Sequence, residues 1–197
     1  LIVVAPTFYK DASDVRYALA LESCRKAADH SVQFVFVDAS PYDAIRLGLE
    51  AAGHGFVKVV PQTSEGKKGA ALREGIKLAA EMLKSDTTKA SRKSIIGFQE
   101  PEKVDFVRHW PSIARHLTLS GSDVVVPRRR DEDFRATYPI EQYHSEQFAN
   151  LFLDSLGSKI GLESIDWTAG PVALGVGMAD EWLDCDGEIW DAQLLPI

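Results

Sequence analysis

Five apolar runs of strand length constrain this chain more than any other feature of its sequence. They are Leu1 to Ala5, Val32 to Val37, Phe56 to Val60, Ser94 to Phe98 and Asp123 to Val126. Each is nearly continuous in Val, Ile and Phe rather than alternating, the pattern of strands covered on both faces. Amphipathic stretches separate them. Asp14 to Asp29 follows Lys10-Asp11-Ala12-Ser13, which offers several N-cap residues. Asp43 to Ala52 stops at Gly53, a C-cap residue. In Lys68 to Leu83, the side chains of Leu72, Ile76, Ala79 and Leu83 share one face. This alternation predicts an α/β fold: a mostly parallel, Rossmann-like sheet flanked by helices, with right-handed crossovers.

Composition narrows the class. With 197 residues, 45% hydrophobic and 26% charged, the chain has the size and balance of one soluble globular domain. A net charge of −7 excludes a general nucleic-acid binder but leaves room for a local basic pocket that takes a diphosphate. Cys24 and Cys185 form neither a metal pattern nor a disulfide framework. Both sit in stretches of helical periodicity and are expected as buried free thiols, which points to a reducing, cytoplasmic setting. No apolar run approaches the roughly 20 residues of a membrane span, and Leu1 to Ala5 lacks the charged flank of a signal peptide. The chain opens without Met on an apolar run, as a domain trimmed from a longer protein would. Its oligomeric state is not encoded in any pattern.

Beyond Pro127 the character changes. Arg128-Arg129-Arg130-Asp131-Glu132-Asp133 reads first as a solvated, mobile surface loop. The alternative is a loop that orders over an anionic substrate. Ile140 to Leu156 is expected to be a helix, with His144, Phe148, Leu151 and Ser155 on one stripe. His144 is expected to be partly buried and hydrogen-bonded, since it lacks a catalytic partner set. Gln142, Glu146 and Asn150 form a polar face that meets either an acceptor or water. A helical ending is expected around Trp182 and Trp190. Trp167, Trp182 and Trp190 are core candidates, with stacking on a sugar ring as the alternative.

In a doubly wound sheet the ligand lies at the carboxyl ends of the strands. Those ends carry Pro6-Thr7-Phe8, Asp38-Ala39-Ser40-Pro41, Pro61-Gln62-Thr63, Glu100-Pro101-Glu102 and Pro127-Arg128. Asp38 either bonds the ribose or base of a nucleotide or caps the next helix, alone or with Ser40. Gly66-Lys67-Lys68-Gly69 runs into a helix whose free N–H groups suit phosphate, and a solvated helix start explains it equally well. In extended chain Glu100 and Glu102 point the same way, as a pair of oxygen ligands for Mg²⁺ would. The same residues also read as a helix start, with Pro101 at its first position.

Together, the strand ending in Pro6, the segment Val37-Asp38-Ala39-Ser40 and the run Gly66-Lys67-Lys68-Gly69-Ala70-Ala71-Leu72-Arg73-Glu74-Gly75 resemble the donor half of GT-A glycosyltransferases. The nearest flavour is family 2 and the dolichyl-phosphate-sugar synthase-like enzymes. There an aspartate holds the nucleoside, and a G-K-G-x-A-x-x-x-G segment precedes the strand that carries a metal-binding D-x-D. The resemblance implies a GT-A sheet with residues 1–130 as the nucleotide-sugar half and a helical acceptor region over 131–197. It implies transfer of a sugar from a nucleoside-diphosphate sugar to a hydroxyl acceptor. Pro6, Thr7, Asp38, Lys67, Lys68 and Gly69 would face the donor, and Glu100 and Glu102 would hold Mg²⁺ or Mn²⁺. Here glutamates replace both aspartates and proline lies between them, which moves the oxygens outward by about one C–C bond.

The C-terminal part matches more loosely. Asp166-Trp167-Thr168-Ala169-Gly170-Pro171 resembles the segment that brings acceptor residues beside the donor, and His144 joins them on the acceptor side. Asp186-Gly187-Glu188-Ile189-Trp190-Asp191 resembles the acidic segment that supplies a catalytic base or a diphosphate contact. Glu188 and Asp191 share a face if that segment is helical, and an acidic solvated helix end is the alternative. Two other functions stay open. Sugar-phosphate nucleotidyltransferases share this sheet, although no glycine-rich loop follows the first strand here. A catalytically silent binding relative is the other.

Overall fold

The computed structural model describes residues 1–85 and 94–188. Asp191 and Trp190 therefore lie outside the described residues. Six strands form one sheet: β1 (Ile2–Thr7), β2 (Gln33–Asp38), β3 (Val57–Pro61), β4 (Ile95–Phe98), β5 (Val124–Val125) and β6 (Val172–Gly175), in the order β3-β2-β1-β4-β6-β5. β1 pairs in parallel with β2 and β4, and β2 with β3. β6 runs antiparallel between β4 and β5. The expected mostly parallel sheet is the observed one. β6 was not expected, and it is the only antiparallel strand among the described residues.

The helices are α1 (Val15–Asp29), α2 (Asp43–Ala52), α3 (Lys68–Ser85), α4 (Trp110–Ser120), α5 (Asp131–Thr137), α6 (Ile140–Gly157) and α7 (Ala179–Leu183). The α1 cap is Asp14, whose carboxylate accepts from the Arg16 amide at 3.0 Å, rather than a residue of the preceding polar group.

Covering on both faces explains the continuous apolar strands. On one face Val3, Phe34 and Phe36 pack with Ala20, Cys24 and Trp110. On the other, Val4 and Val37 meet α3 at Gly75, where an added Cβ would lie 2.3 Å from Val4 Cγ1. A glycine here lets helix and sheet approach to backbone distance.

The described chain forms two compact units. One comprises Leu1–Val125 with the described residues from Val172 on, and the other is Val126–Pro171. Within the second unit the Arg128 to Asp133 run is ordered, not the mobile loop expected. Arg129 donates through Nε and Nη2 to Asp166 at 2.8 and 2.7 Å, and through Nη1 to Glu146 at 2.7 Å. Its guanidinium stacks 3.7 Å from the Phe134 ring centroid. A two-pronged carboxylate bond plus ring stacking is geometry that only arginine supplies. Asp131 onward then forms α5.

Other expectations in this part are corrected. Of the polar face, Gln142 stays exposed and donates to Glu146 at 2.7 Å, whereas Glu146 and Asn150 are half-buried within the second unit, Asn150 donating to Asp166 at 2.9 Å. His144, Phe148, Leu151 and Ser155 form the exposed stripe instead, so His144 is not partly buried. Cys24 is buried as expected, and burial pushes its thiol up to about 12. Cys185 is only half-buried and lies past the end of α7. Trp182 is buried and Trp167 half-buried. Among the described residues no helix is long and apolar enough to cross a membrane.

Two measurements check this packing. Gly75→Ala is expected to cost about 1–3 kcal/mol by overpacking against Val4, read as a lower urea midpoint at unchanged m. For Asp166, burial raises the carboxyl, but its bonds to Arg129 and Asn150 outweigh that and hold it below the usual range. Its contribution is thus fully present above the unfolded value of about 3.9 and is lost as pH falls through the depressed folded value. Asp166→Asn is expected to lower stability by about 2–3 kcal/mol at pH 7, with the gap to wild type closing in acid. A gap that stays constant down to the acid limit would contradict this assignment.

Candidate functional site

The chain leaves β1 toward β2 and β3 on one side and returns to place β4 on the other. That reversal opens a crevice at the carboxyl ends of β1 and β4, the place where such sheets take ligands. Register sets the floor: Thr7 lies opposite Asp38, and Asp38 opposite Pro61. Pro6 and Thr7 close β1 beside this row.

Asp38 is fully buried. Its Oδ1 accepts from Thr7 Oγ1 at 2.7 Å and Ser40 Oγ at 2.6 Å, and its Oδ2 from Arg46 Nη1 at 3.3 Å. Ser40 Oγ also accepts from the Tyr9 amide at 2.8 Å. The carboxylate thus ties the loops after β1 and β2 to α2. It does not cap α2, whose N-cap is Tyr42 with no side-chain cap bond. Tyr9 is buried, and burial and then the nearby Glu102 carboxylate push its phenol above the ordinary range.

The loop after β3 is held by Glu74 on α3. Its carboxylate accepts from the amides and hydroxyls of Thr63 and Ser64 at 2.9 to 3.2 Å. Partial burial opposes its ionisation, yet these bonds keep it below the usual carboxylate range. The loop leads through Gly66 and Lys67 to Lys68, the first residue of α3.

The start of α3 is not an open anion cradle. The Gly69 amide donates to the Glu188 carbonyl at 2.8 Å, and the Ala70 amide to the Lys67 carbonyl at 3.1 Å. Arg73 Nη1 donates to the carbonyls of Gly187 at 2.7 Å and Cys185 at 3.0 Å. A Cβ on residue 69 would lie 1.9 Å from the Gly187 carbonyl oxygen, so glycine is needed for this approach. Glu188 Oε2 lies 3.4 Å from Lys67 Nζ, with both side chains well exposed. Residues 184–188 are not helical, contrary to expectation, so Glu188 is presented from an irregular segment.

Glu100-Pro101-Glu102 is neither extended chain nor a helix start. The Lys103 amide donates to the Glu100 carbonyl at 3.1 Å, closing a turn, and a 3₁₀ helix begins only at Val104. Gln99, fully buried, braces the turn by donating to the Lys103 carbonyl at 3.0 Å and accepting from Trp110 Nε1 at 2.6 Å. Lys68 Nζ lies 3.0 Å from Glu100 Oε1, and Lys103 Nζ 3.8 Å from Oε2. Burial raises the Glu102 carboxyl; Glu100 adds to this, while Arg16 and Lys68 oppose it.

Glu102 lies near enough to feel the Glu100 carboxylate, and Glu100 already holds an ammonium ion, so this turn is a place for positive charge. Among the described residues no group of three or more His, Cys, Asp or Glu forms a closed metal cage. Glu100 and Glu102 supply carboxylate oxygen, the ligand type that Mg²⁺ or Mn²⁺ takes where one or two carboxylates share the ion with substrate phosphates. Gln99, Arg46, Tyr9 and Lys103 went unnoticed in the sequence. Arg46 and Lys103 act through partners within eight residues, but Tyr9 bonds Ser40 from 31 residues away and Gln99 takes the Trp110 indole N–H, contacts set by the fold.

In the second unit Trp167 Nε1 donates to Asp154 at 2.8 Å, and Asp166 is held by Arg129. A cavity of about 700 Å³ there is lined by residues that include Arg128, Arg130, Asn150, Asp154 and Asp166.

No known protein family and no curated protein matches the chain by sequence. Solved structures do match its fold. Glucosyl-3-phosphoglycerate synthase from Mycobacterium tuberculosis, in complex with Mn²⁺, UDP and glucosyl-3-phosphoglycerate, aligns with a TM-score of 0.52 at 16% identity. The alignment covers 90% of this chain and 57% of that one. The same synthase with Mn²⁺, UDP-glucose and phosphoglyceric acid gives the same values. A further mycobacterial protein aligns with a TM-score of 0.53 at 19% identity, over 90% of this chain and 53% of that one. This chain thus spans little more than half the length of these neighbours. The fold is the mostly parallel α/β sheet of the GT-A glycosyltransferases.

Proposed function

We propose that this chain carries the donor site of a glycosyltransferase that moves a sugar from a nucleoside-diphosphate sugar to a hydroxyl acceptor. The observation that supports this most is the meeting of the basic turn at Lys68 with the Glu100 turn, 3.0 Å apart, at the sheet's reversal point. Positive charge for a diphosphate and carboxylates for its counter-cation then converge on one crevice.

At the nucleoside end, Pro6 and Thr7 line the approach. The buried Asp38 acts by presenting Thr7, Ser40 and Arg46. Lys67 and Lys68 meet the diphosphate with their ammonium groups. Gly69 serves by admitting the Gly187 carbonyl, which seats the segment carrying Glu188. Glu100 and Glu102 would hold Mg²⁺ or Mn²⁺, an ion that offsets charge developing on a departing diphosphate.

In an inverting transfer the acceptor hydroxyl loses its proton to a carboxylate as its oxygen bonds the anomeric carbon. The bond from that carbon to the diphosphate oxygen breaks, and the leaving charge falls beside Lys68. We assign the base to Glu188 or Asp191. On the acceptor side, Asp166 and Trp167 act as positioning residues through Arg129 and Asp154, and the exposed His144 offers a contact. In functional terms residues 1–130 form the donor half and 131–197 the acceptor side. Asp38, the Lys67–Lys68 turn and the Glu100 turn fall in the first, and Glu188 in the second.

A thermal-shift panel of UDP, GDP, CDP and their sugars, with and without Mn²⁺ or Mg²⁺, tests the reading. A true donor at about 100-fold over its Kd is expected to raise Tm by roughly 5–10 °C. The cation-dependent part of that shift is expected to vanish in Glu102→Gln. Silence toward every nucleotide would defeat glycosyl and nucleotidyl transfer alike and leave a silent binding relative.

A further inference from the structure

The basic turn that opens α3 and the turn after β4 are joined by one ion pair, although 32 residues separate its partners in sequence. Lys68 Nζ lies 3.0 Å from Glu100 Oε1 and 5.0 Å from the centroid of the Phe98 ring. A ring face attracts a cation, so the ammonium is held from two sides. Both charged side chains are about two-thirds to three-quarters covered, at 32% and 27% exposure. This is a firmer seat than a surface pair has.

We propose, resting on the donor-site reading above, that Lys68 and Glu100 mask each other. The pair must open before either a nucleoside diphosphate or a divalent cation can bind, so each ligand promotes the other. Three physical points lead there. A divalent ion bonds a carboxylate oxygen directly at about 2.0–2.1 Å, and its double charge repels an ammonium on the same group. Lys68 cannot stay where it is when that happens. Conversely, an ammonium bound to Glu100 faces a carboxylate rather than a phosphate, so the diphosphate loses its nearest cation.

The third point is mechanical. Lys68 is the first residue of α3, and its flexible four-carbon stem can swing the head group by rotamer change alone. Helix and turn need not move. Gln99 and Trp110 brace the Glu100 turn, and the Gly69 contact with Glu188 fixes the helix start. The exchange is then a swap of partners: Lys68 leaves a carboxylate for a phosphate, and Glu100 leaves an ammonium for a metal ion. By linkage, whichever ligand opens the pair lowers the cost for the other equally.

Direct contact between phosphate and metal also couples the two ligands, so the test measures each one alone. Mn²⁺ binding without nucleotide is followed by electron paramagnetic resonance, and UDP binding in EDTA by calorimetry. Lys68→Met is expected to tighten Mn²⁺ without UDP, and Glu100→Gln to tighten UDP without metal, each on the order of fivefold. Lys103→Met, which removes the more distant ammonium, is expected to tighten Mn²⁺ less. Failure of either Lys68→Met or Glu100→Gln to tighten its ligand, or equal tightening in Lys103→Met, overturns the masking. If wild type binds none of UDP, GDP and CDP under any condition, the donor-site reading falls and the masking with it; if GDP or CDP binds in place of UDP, the same measurements are made with that nucleotide. If UDP binds but Mn²⁺ does not join it, the cation half fails and the masking is overturned while UDP recognition stands.

Discussion

A fully buried carboxylate governs the crevice. Removing Asp38 from water is costly unless every lone pair finds a donor. Two hydroxyls and a guanidinium supply them, from the ends of β1 and β2 and from α2. Because Asp38 Oδ1 takes both Thr7 and Ser40, the loops after β1 and β2 cannot drift independently. The Ser40 bond to the Tyr9 amide extends the brace one turn further along the first loop. A network of this kind is favourable only when complete, which makes the rim of the crevice a single rigid object. The loop after β3 is fixed by a separate carboxylate, Glu74, through four donors of its own.

The sheet was legible because its strands are covered on both faces, so burial left a continuous trace in Val, Ile and Phe. α2 was read with the bounds observed, and α1, α3 and α6 to within two residues; α1, α2 and α3 place an apolar face against the sheet, whereas the apolar stripe expected of α6 is the exposed one. What escaped was short or depended on distant partners. β6 follows directly on Pro171 and ends in Gly175, so its three apolar residues stand among turn signals rather than in a longer apolar run. The turn at Glu100 took its shape from Gln99 and Trp110, so the reading of local dihedral preference around Pro101 missed it. Arg129 illustrates the same limit. A dense run of mixed charges reads as solvated until a carboxylate 37 residues away is placed against it. Of the site, the residue types and their order were visible, but the pairing of Lys68 with Glu100 was not.

The C-terminal segment changes what a glycine-flanked basic turn means here. Local reading makes Gly69 a device for backbone contact with phosphate. In the fold, that missing Cβ admits another part of the same chain, and the amide is already bonded to Glu188. Arg73, one turn further along α3, fastens the same segment through two carbonyls. In the proposed donor site, recognition of an anion at this helix start would therefore fall to side-chain ammonium groups more than to amides. It also couples the first turn of α3 to the placement of Glu188, so a change at residue 69 acts on both.

Charge balance in the crevice follows from the same economy of partners. The chain as a whole is acidic, at −7, yet around Glu100 and Glu102 stand Lys68, Lys103 and Arg16. At partial burial the Glu100 carboxylate makes Glu102 harder to ionise, and Arg16 and Lys68 relieve that. In the proposed donor site a nucleoside-diphosphate sugar with its divalent cation would bring charge of both signs. Its phosphates would replace carboxylate as partner to lysine, and its metal ion would replace lysine as partner to carboxylate. Each half-covered charge would then change partner without being left as an isolated ion.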